Sequence, residues 1–182
     1  MTDGAIDPVF STERLIVRPL TLDDAEACFV VYGDPEVTRY VTPGGEVVPD
    51  MELMRALLTD GMLAPRLDPR FGFWGLEQRT DATIIGTVAL IPIEDDGGVE
   101  MGWQLARAHW GKGYALESGV GLLRYGFEQL AIPEILALAY PGNERSIRAC
   151  LRLGLTPFGR RLHQGAEHEC FAAMRDTWSI PA

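Results

Sequence analysis

The sequence predicts an α+β domain, and three observations carry that reading. Strand alternation recurs in three closely spaced segments near 71–77, 83–91 and 99–105, parted by turn residues, which describes an antiparallel meander. Helical periodicity follows at 114–130, where Ala115, Leu122, Leu123, Phe127 and Leu130 repeat at roughly helical spacing. Between these regimes lies Trp110-Gly-Lys-Gly113, so a strand passes through a glycine-rich turn directly into a helix.

In chain order, residues 12–20 read as a first strand ended by Arg18-Pro19. Thr21 is a helix N-cap with acids in the first turn, and Gly33-Asp34-Pro35 stops that helix at about Tyr32. A short helical turn is expected at Pro35–Arg39, a loop from Val41 to Pro49, and a second helix from Asp50 to Leu58. Arg66 to Arg70 is a loop before the meander, whose turns fall at Arg79-Thr-Asp81 and Glu94-Asp-Asp-Gly-Gly98. The acids Glu94, Asp95 and Asp96 suit a solvated hairpin tip better than a metal site, given the glycines that follow.

In the central strand, Val99, Met101, Trp103 and Leu105 share one face, with Glu100 and Gln104 on the other. Ile135 to Tyr140 is a further short strand. Asn143 caps a helix that ends at Gly154, and terminal strands are expected near 159–163 and 168–174, joined at Gln164-Gly165. No repeat or composition shift marks a second unit, so residues 1–182 are expected to form a single domain.

Composition narrows the function classes. A net charge of −10 opposes non-specific nucleic-acid binding and weakly favours a cationic amine as substrate. No apolar run approaches the roughly 18 residues of a membrane span. The first residues lack the basic and apolar regions of a signal peptide, and a cytoplasmic location is expected. Cys28, Cys150 and Cys170 are odd in number and widely spaced, which suits free thiols and argues against structural zinc. His163 and His168, with Glu169 adjacent, stand at a spacing poor for a metal site, and no metal is expected.

The glycine turn is suited to anions. Glycines let the backbone approach a bound group, and a helix start leaves N–H donors without partners and adds partial positive charge. A diphosphate is the natural guest, with Lys112 as an added point charge or simply a solvent-facing side chain. Lys112 is followed by Gly113, which excludes the ATPase-type phosphate loop, and Leu116 stands where a dinucleotide fingerprint needs glycine. A plain loop whose glycines serve tight geometry accounts for the spacing equally well.

Resemblance separates these alternatives. Met101-Gly-Trp-Gln-Leu…Trp110-Gly-Lys-Gly-Tyr-Ala-Leu-Glu117 resembles the acyl-CoA pyrophosphate loop of the GNAT superfamily of N-acetyltransferases, nearest the branch of ribosomal-protein alanine acetyltransferases. Asn143-Glu-Arg-Ser146…Leu153-Gly154-Leu155 is similar to that branch's Asn-x-x-Ser block, and Thr12 to Leu20 is similar to its first strand. The resemblance runs over roughly residues 10–175. It implies a mixed, mainly antiparallel central sheet flanked by helices, whose central strands splay to admit acetyl-CoA, and transfer of acetyl to a primary amine with coenzyme A as product. The acceptor would be a peptide N-terminus or a small amine. Homodimers through terminal strands are frequent among similar proteins, and the sequence leaves oligomeric state open.

The resemblance also implies site residues. Backbone N–H groups of Trp110, Gly111, Lys112, Gly113, Tyr114 and Ala115 would grip the pyrophosphate, and the backbone near Gln104 and Leu105 would pair with the pantetheine arm. Asn143 and Ser146 match positions near the thiol end. Glu100 is the candidate general base, with a solvated strand residue as the alternative. The chain departs from the family pattern in two places. Ala108 replaces the Gln or Arg that usually opens the pyrophosphate motif, and Cys150 falls where many members carry an acidic tyrosine. Cys150 is expected in helix packing, which leaves Ser146 as the candidate acid. A catalytically weak acyl-CoA-binding module is the alternative that this loss of tyrosine motivates.

Overall fold

A computed structural model describes residues 7–41, 43–64, 68–93 and 98–180. Short β1 (Phe10–Ser11) pairs with β2 (Leu15–Pro19), and the predicted meander follows as β3 (Gly72–Gln78), β4 (Ile84–Pro92) and β5 (Val99–Leu105). After β6 (Glu134–Ala139) come β7 (Thr156–His163) and β8 (Ala166–Met174). Together they form one eight-stranded sheet in the order β1-β2-β3-β4-β5-β6-β8-β7. Every pairing is antiparallel except that of β5 with β6. The acidic tip at Glu94, Asp95 and Asp96 lies outside the described residues.

The parallel junction interrupts the sheet. β4 and β5 stay in register over seven residue pairs, from Gly86↔Leu105 to Pro92↔Val99. β5 and β6 meet at one pair, Glu100↔Leu136. Beyond it the two strands part, which is the splay expected of the central strands.

The helices sit where composition places their caps. α1 (Ala25–Tyr32) follows a tight turn at Leu22–Asp24 whose N-cap is Thr21, as expected, and the Asp24 carboxylate closes a capping box by accepting from the Thr21 N–H at 2.7 Å and hydroxyl at 3.2 Å. Proline at the first helical position starts α2 (Pro35–Thr38), and the Asp34 side chain accepts from Glu36 N–H at 2.9 Å. Asp50 caps α3 (Met51–Leu57), which runs on as a widened turn to Met62, beyond the predicted end.

α4 (Tyr114–Arg124) starts at the glycine turn and also widens, over Tyr125–Gln129. The sequence reads this stretch as one regular helix. The widening falls where Gly126 meets Ile135 of β6 so closely that a Cβ would lie 2.5 Å from the isoleucine Cδ1. α5 (Glu144–Arg152) is capped by Asn143, whose Oδ1 accepts from Ser146 N–H at 3.3 Å, and is terminated by Gly154 at φ 81°.

The sheet has a helical layer on each face. α1 and α3 pack on one face, where Leu20, Val31, Met54 and Leu58 are buried. α4 and α5 cover the other, with Leu15, Leu76, Met101, Leu122 and Ile135 at the centre. Truncating such a fully buried leucine to alanine costs about 2–5 kcal/mol. Cys150 is fully buried in this second cluster, as expected of a packing residue.

Candidate active site

The parting of β5 from β6 opens a cleft of about 810 Å³, bounded by the glycine turn, the start of α5, residues 36–41 and the β7–β8 hairpin. One rim is the glycine turn. Gly111 and Gly113 take φ of 74° and 84°, a region unfavourable to side chains, and a Cβ on Gly111 would meet nothing within 4 Å. Gly113 is itself the N-cap of α4 and offers no capping side chain. The first N–H groups of that helix therefore have no acceptor from the cap residue, and they open beside empty space.

Distant residues brace the turn. Glu117 in the first turn of α4 accepts from the Thr12 hydroxyl at 2.6 Å and from the Arg14 Nε at 2.6 Å, while Arg14 Nη1 donates to the Lys112 carbonyl at 3.0 Å. The Arg14 guanidinium also stacks on the Tyr114 ring at 4.5 Å. Arg14 therefore ties the beginning of β2 to both sides of the turn and offsets the one acid at the start of α4.

The cleft lining contains Glu100, Gln104, Leu105, Trp110, Gly111, Gly113, Tyr114, Ala115, Asn143 and Ser146. Lys112 is the exception. Its side chain is exposed outside the lining, held out between two glycines of positive φ, so any part it has is through its backbone. The Tyr114 side chain is buried with its hydroxyl accepting from Gln78 Nε2 at 2.8 Å, and it reaches the cleft as helix backbone.

The pairing phase of β5 refines the backbone assignment. Ala106 N–H donates to Ile85 across the Leu105↔Gly86 pair, and Ile93 N–H donates to Gly98 across Pro92↔Val99. Leu105 and Trp103 consequently turn their own N–H and C=O groups away from β4, toward the opening. Gln104 turns its backbone to β4, and its side-chain Oε1 accepts from Thr87 Oγ1 at 3.0 Å and the Tyr32 hydroxyl at 3.4 Å. The Leu105 carbonyl is occupied by the Trp110 indole N–H at 2.8 Å. The backbone groups open to a guest on β5 are thus those of Trp103 and the Leu105 N–H, a correction to Gln104 that follows from strand phase.

At the other end, Glu100 projects from the single β5–β6 pair. Burial pushes its carboxyl up to about 7, against the opposing pull of Arg161. His163 of the β7–β8 hairpin stands beside it, with Nε2 at 3.9 Å from Oε2. His163 meets the His168 ring edge-on at 5.8 Å, and His168 packs on Tyr140 at 4.3 Å. Sequence distance hid this grouping; the hairpin brings His163 back across β6.

Sequence reasoning also passed over Tyr40, whose hydroxyl donates to the Gly142 carbonyl at 3.3 Å and so links residues after α2 to the loop before α5. Asn143 uses its Oδ1 in the cap, and its amide nitrogen has no partner among the described residues. The Cys150 thiol, pushed up to about 12 by burial, lies close to Ser146, one turn earlier at the cleft. The cleft thus brings together a glycine turn at a helix start, an unpaired strand edge, and a carboxyl pushed up to about 7 by burial.

A family model described as an acetyltransferase (GNAT) domain matches residues 14–156. The uncharacterized N-acetyltransferase YoaA of Bacillus subtilis (strain 168) is 32% identical over 154 residues, covering 84% of this chain and 85% of that one. The uncharacterized N-acetyltransferase p20 of Bacillus licheniformis is 36% identical over 140 residues, covering 75% and 76%. Among solved structures, a GNAT-family acetyltransferase from Bacillus anthracis superposes with TM-score 0.77 at 23% identity, covering 91% of this chain and 98% of that one. Mycobacterium smegmatis RimJ in complex with CoA-disulfide superposes with TM-score 0.75 at 18% identity, covering 97% and 91%; at such identities the likeness is one of fold. With the splayed sheet, the glycine turn and a match over most of its length, the chain belongs to the GNAT acetyltransferase family.

Proposed function

We propose that this acetyltransferase moves an acetyl group from acetyl-CoA directly to a primary amine, either a peptide N-terminus or a small amine. The observation that carries the reading is the single-pair junction at Glu100↔Leu136, with an anion-binding turn at one end of the opening and a near-neutral carboxyl at the other. Acetyl-CoA supplies an acyl carbon already activated as a thioester.

The chain's own residues supply position and proton handling. Backbone N–H groups from Gly113 to Ala115 hold the diphosphate, where the helix start favours negative charge. Trp103 and the Leu105 N–H offer the pantetheine arm an unpaired strand edge, as an added strand would use it. The free amide of Asn143 and the hydroxyl of Ser146 stand at the start of α5, beside the reacting end, and Ser146 is the candidate donor of a proton to the departing thiolate.

Glu100 takes the proton from the incoming ammonium. An ordinary carboxylate is too weak a base for that work at neutral pH, whereas one at about 7 is well matched to an α-amino group, whose pKa is roughly 7.7–8.0. The same match favours an N-terminal amine over a lysine at roughly 10.4.

Thiol release measured over a panel of peptides, amino acids, polyamines and other small amines tests the reading. Amine-dependent turnover is expected. Binding of acetyl-CoA without turnover on any amine would support the binding-module alternative instead. Gly111→Val should weaken acetyl-CoA binding by more than about tenfold in calorimetry, since a side chain there is strained and enters the space of the diphosphate. Near-normal affinity in the folded variant would displace the cofactor from this turn.

A further inference from the structure

On the α1 side of the sheet, the floor of the cleft is a row of alternate β5 residues, Glu100, Gly102 and Gln104. Proton removal uses the first of them. The third is held by a buried polar chain that proton removal does not require.

Tyr32 of α1 and Thr87 of β4 are both buried, with their hydroxyls 2.7 Å apart. Each hydroxyl carries one proton, and the pair can use only one of the two between themselves, so a further acceptor is needed. Gln104 Oε1 is that acceptor, 3.0 Å from Thr87 Oγ1 and 3.4 Å from the Tyr32 hydroxyl. With the amide turned over, an N–H would face the pair and one buried hydroxyl proton would be stranded. Burial thus fixes which end of the amide points inward. The outward end, Nε2, has no partner among the described residues, and it belongs to a side chain that lines the cleft.

Gly102 shows where that donor stands. A Cβ added there would meet, beyond its chain neighbours, only Gln104 Nε2, at 3.8 Å. The amide therefore leans back along β5 over an empty glycine position, toward Glu100. Glu100 and Gly102 are about 7 Å apart along the strand. An amine and a carbonyl on adjacent carbons, hydrogen-bonded at each end, span a distance of that order: about 3 Å for each bond and about 3 Å between the two polar atoms. The pantetheine arm does not compete for this space. The open backbone groups of Trp103 and Leu105 lie in the plane of the sheet, whereas Glu100 and Gln104 stand on its face.

We infer that Gln104 determines acceptor specificity: its Nε2–H donates to a carbonyl oxygen on the carbon next to the one bearing the reacting amine, and Gly102 leaves room for the fragment between. The inference rests on the reading that Glu100 deprotonates the amine. It narrows the acceptor to α-aminoacyl compounds, such as peptide N-termini and amino-acid amides, over amines with no neighbouring carbonyl to match the donor.

Thiol release with Ala-Ala amide and with propylamine tests this, read as the ratio of the two kcat/KM values. Wild type is expected to favour the dipeptide amide. Gln104→Leu should lower the ratio about 5- to 50-fold, the effect of one lost hydrogen bond. Comparing variant with wild type removes the difference in amine pKa and any shared change at Glu100. Tyr32→Phe and Thr87→Val combined with Gln104→Leu remove the hydroxyls that the single variant strands, and the same fall should appear there even if the single variant folds poorly. Acetyl-CoA affinity in calorimetry should be retained. An unchanged ratio, or wild-type turnover confined to amines without a neighbouring carbonyl, overturns the inference and leaves acetyl transfer standing. Lost acetyl-CoA affinity in a folded variant overturns it by moving Gln104 to the cofactor. A wild type that turns over no amine of the wider panel overturns both readings.

Discussion

Asp24 and Glu100 are both carboxylates withdrawn from solvent, yet the chain treats them in opposite ways. Asp24 is locked. Burial alone would raise its pKa, but Arg18 grips both oxygens at 2.8 and 2.9 Å and Thr21 donates to it, which together hold it below the usual carboxylate range. Arg18 in turn reaches Glu77 at 2.6 Å, so β2, β3 and the approach to α1 are stapled by one guanidinium. Glu100 has no such clamp. Burial dominates, a histidine stands at 3.9 Å, and the carboxyl titrates near pH 7. Burial with full pairing makes a structural anchor; burial that outweighs the pull of nearby charge makes a group ready to exchange a proton.

The largest effect expected from breaking this contrast is on turnover. Glu100→Gln removes the exchangeable proton and should lower kcat by about 10²–10⁴-fold near neutral pH, with acetyl-CoA affinity retained. Raising the pH should recover much of the loss, because solvent then deprotonates the amine, and an acceptor of lower amine pKa should suffer less. Unchanged turnover across pH on a verified acceptor would remove Glu100 from the mechanism.

Asp24→Asn tests the other side and should act on stability. Removing one partner of a largely buried pair costs about 3 kcal/mol, and for a chain of this size that lowers Tm by roughly 6–12 °C. The variant should keep its affinity for acetyl-CoA. A melting temperature within a degree of wild type would show that Arg18 gains nothing from Asp24.

The pH dependence of stability should separate the two residues by sign. Asp24 is depressed in the fold, so its contribution is present above the unfolded carboxylate pKa and is lost as pH falls through its folded value. Glu100 is raised, so its contribution is full below an unfolded value near 4.5 and is lost as pH rises through about 7. Glu100→Gln should therefore be more stable than wild type at pH 8, by at most about 3 kcal/mol, and show no such advantage at pH 4. Denaturant titrations of both proteins at the two pH values measure this, and a wild type that is the more stable at pH 8 would contradict the burial argument.

Much of the fold was legible because its signals are local. The meander, the Asn143 cap, the glycine stop after α5 and the hairpin at Gln164-Gly165 each rest on a few adjacent residues. The widened turns after α3 and α4 were not legible, since the second of them accompanies a close approach of Gly126 to Ile135 on a strand yet to come. At the cleft, the glycine turn was readable from its spacing and from resemblance. The contact of Glu100 with His163 was not, because 63 residues separate them and a crossover places them together.

The one-pair seam between β5 and β6 leaves a signature in time as well as in space. Along β5 the amides alternate between two fates. Those of Gly102 and Gln104 are turned into the ladder with β4, whereas those of Trp103 and Leu105 look into the opening. Deuterium should therefore enter this strand at every second residue past Glu100, quickly at Trp103 and Leu105 and slowly at their neighbours. A pantetheine arm lying along the strand would slow exchange at those two positions, so a single strand would record occupancy residue by residue.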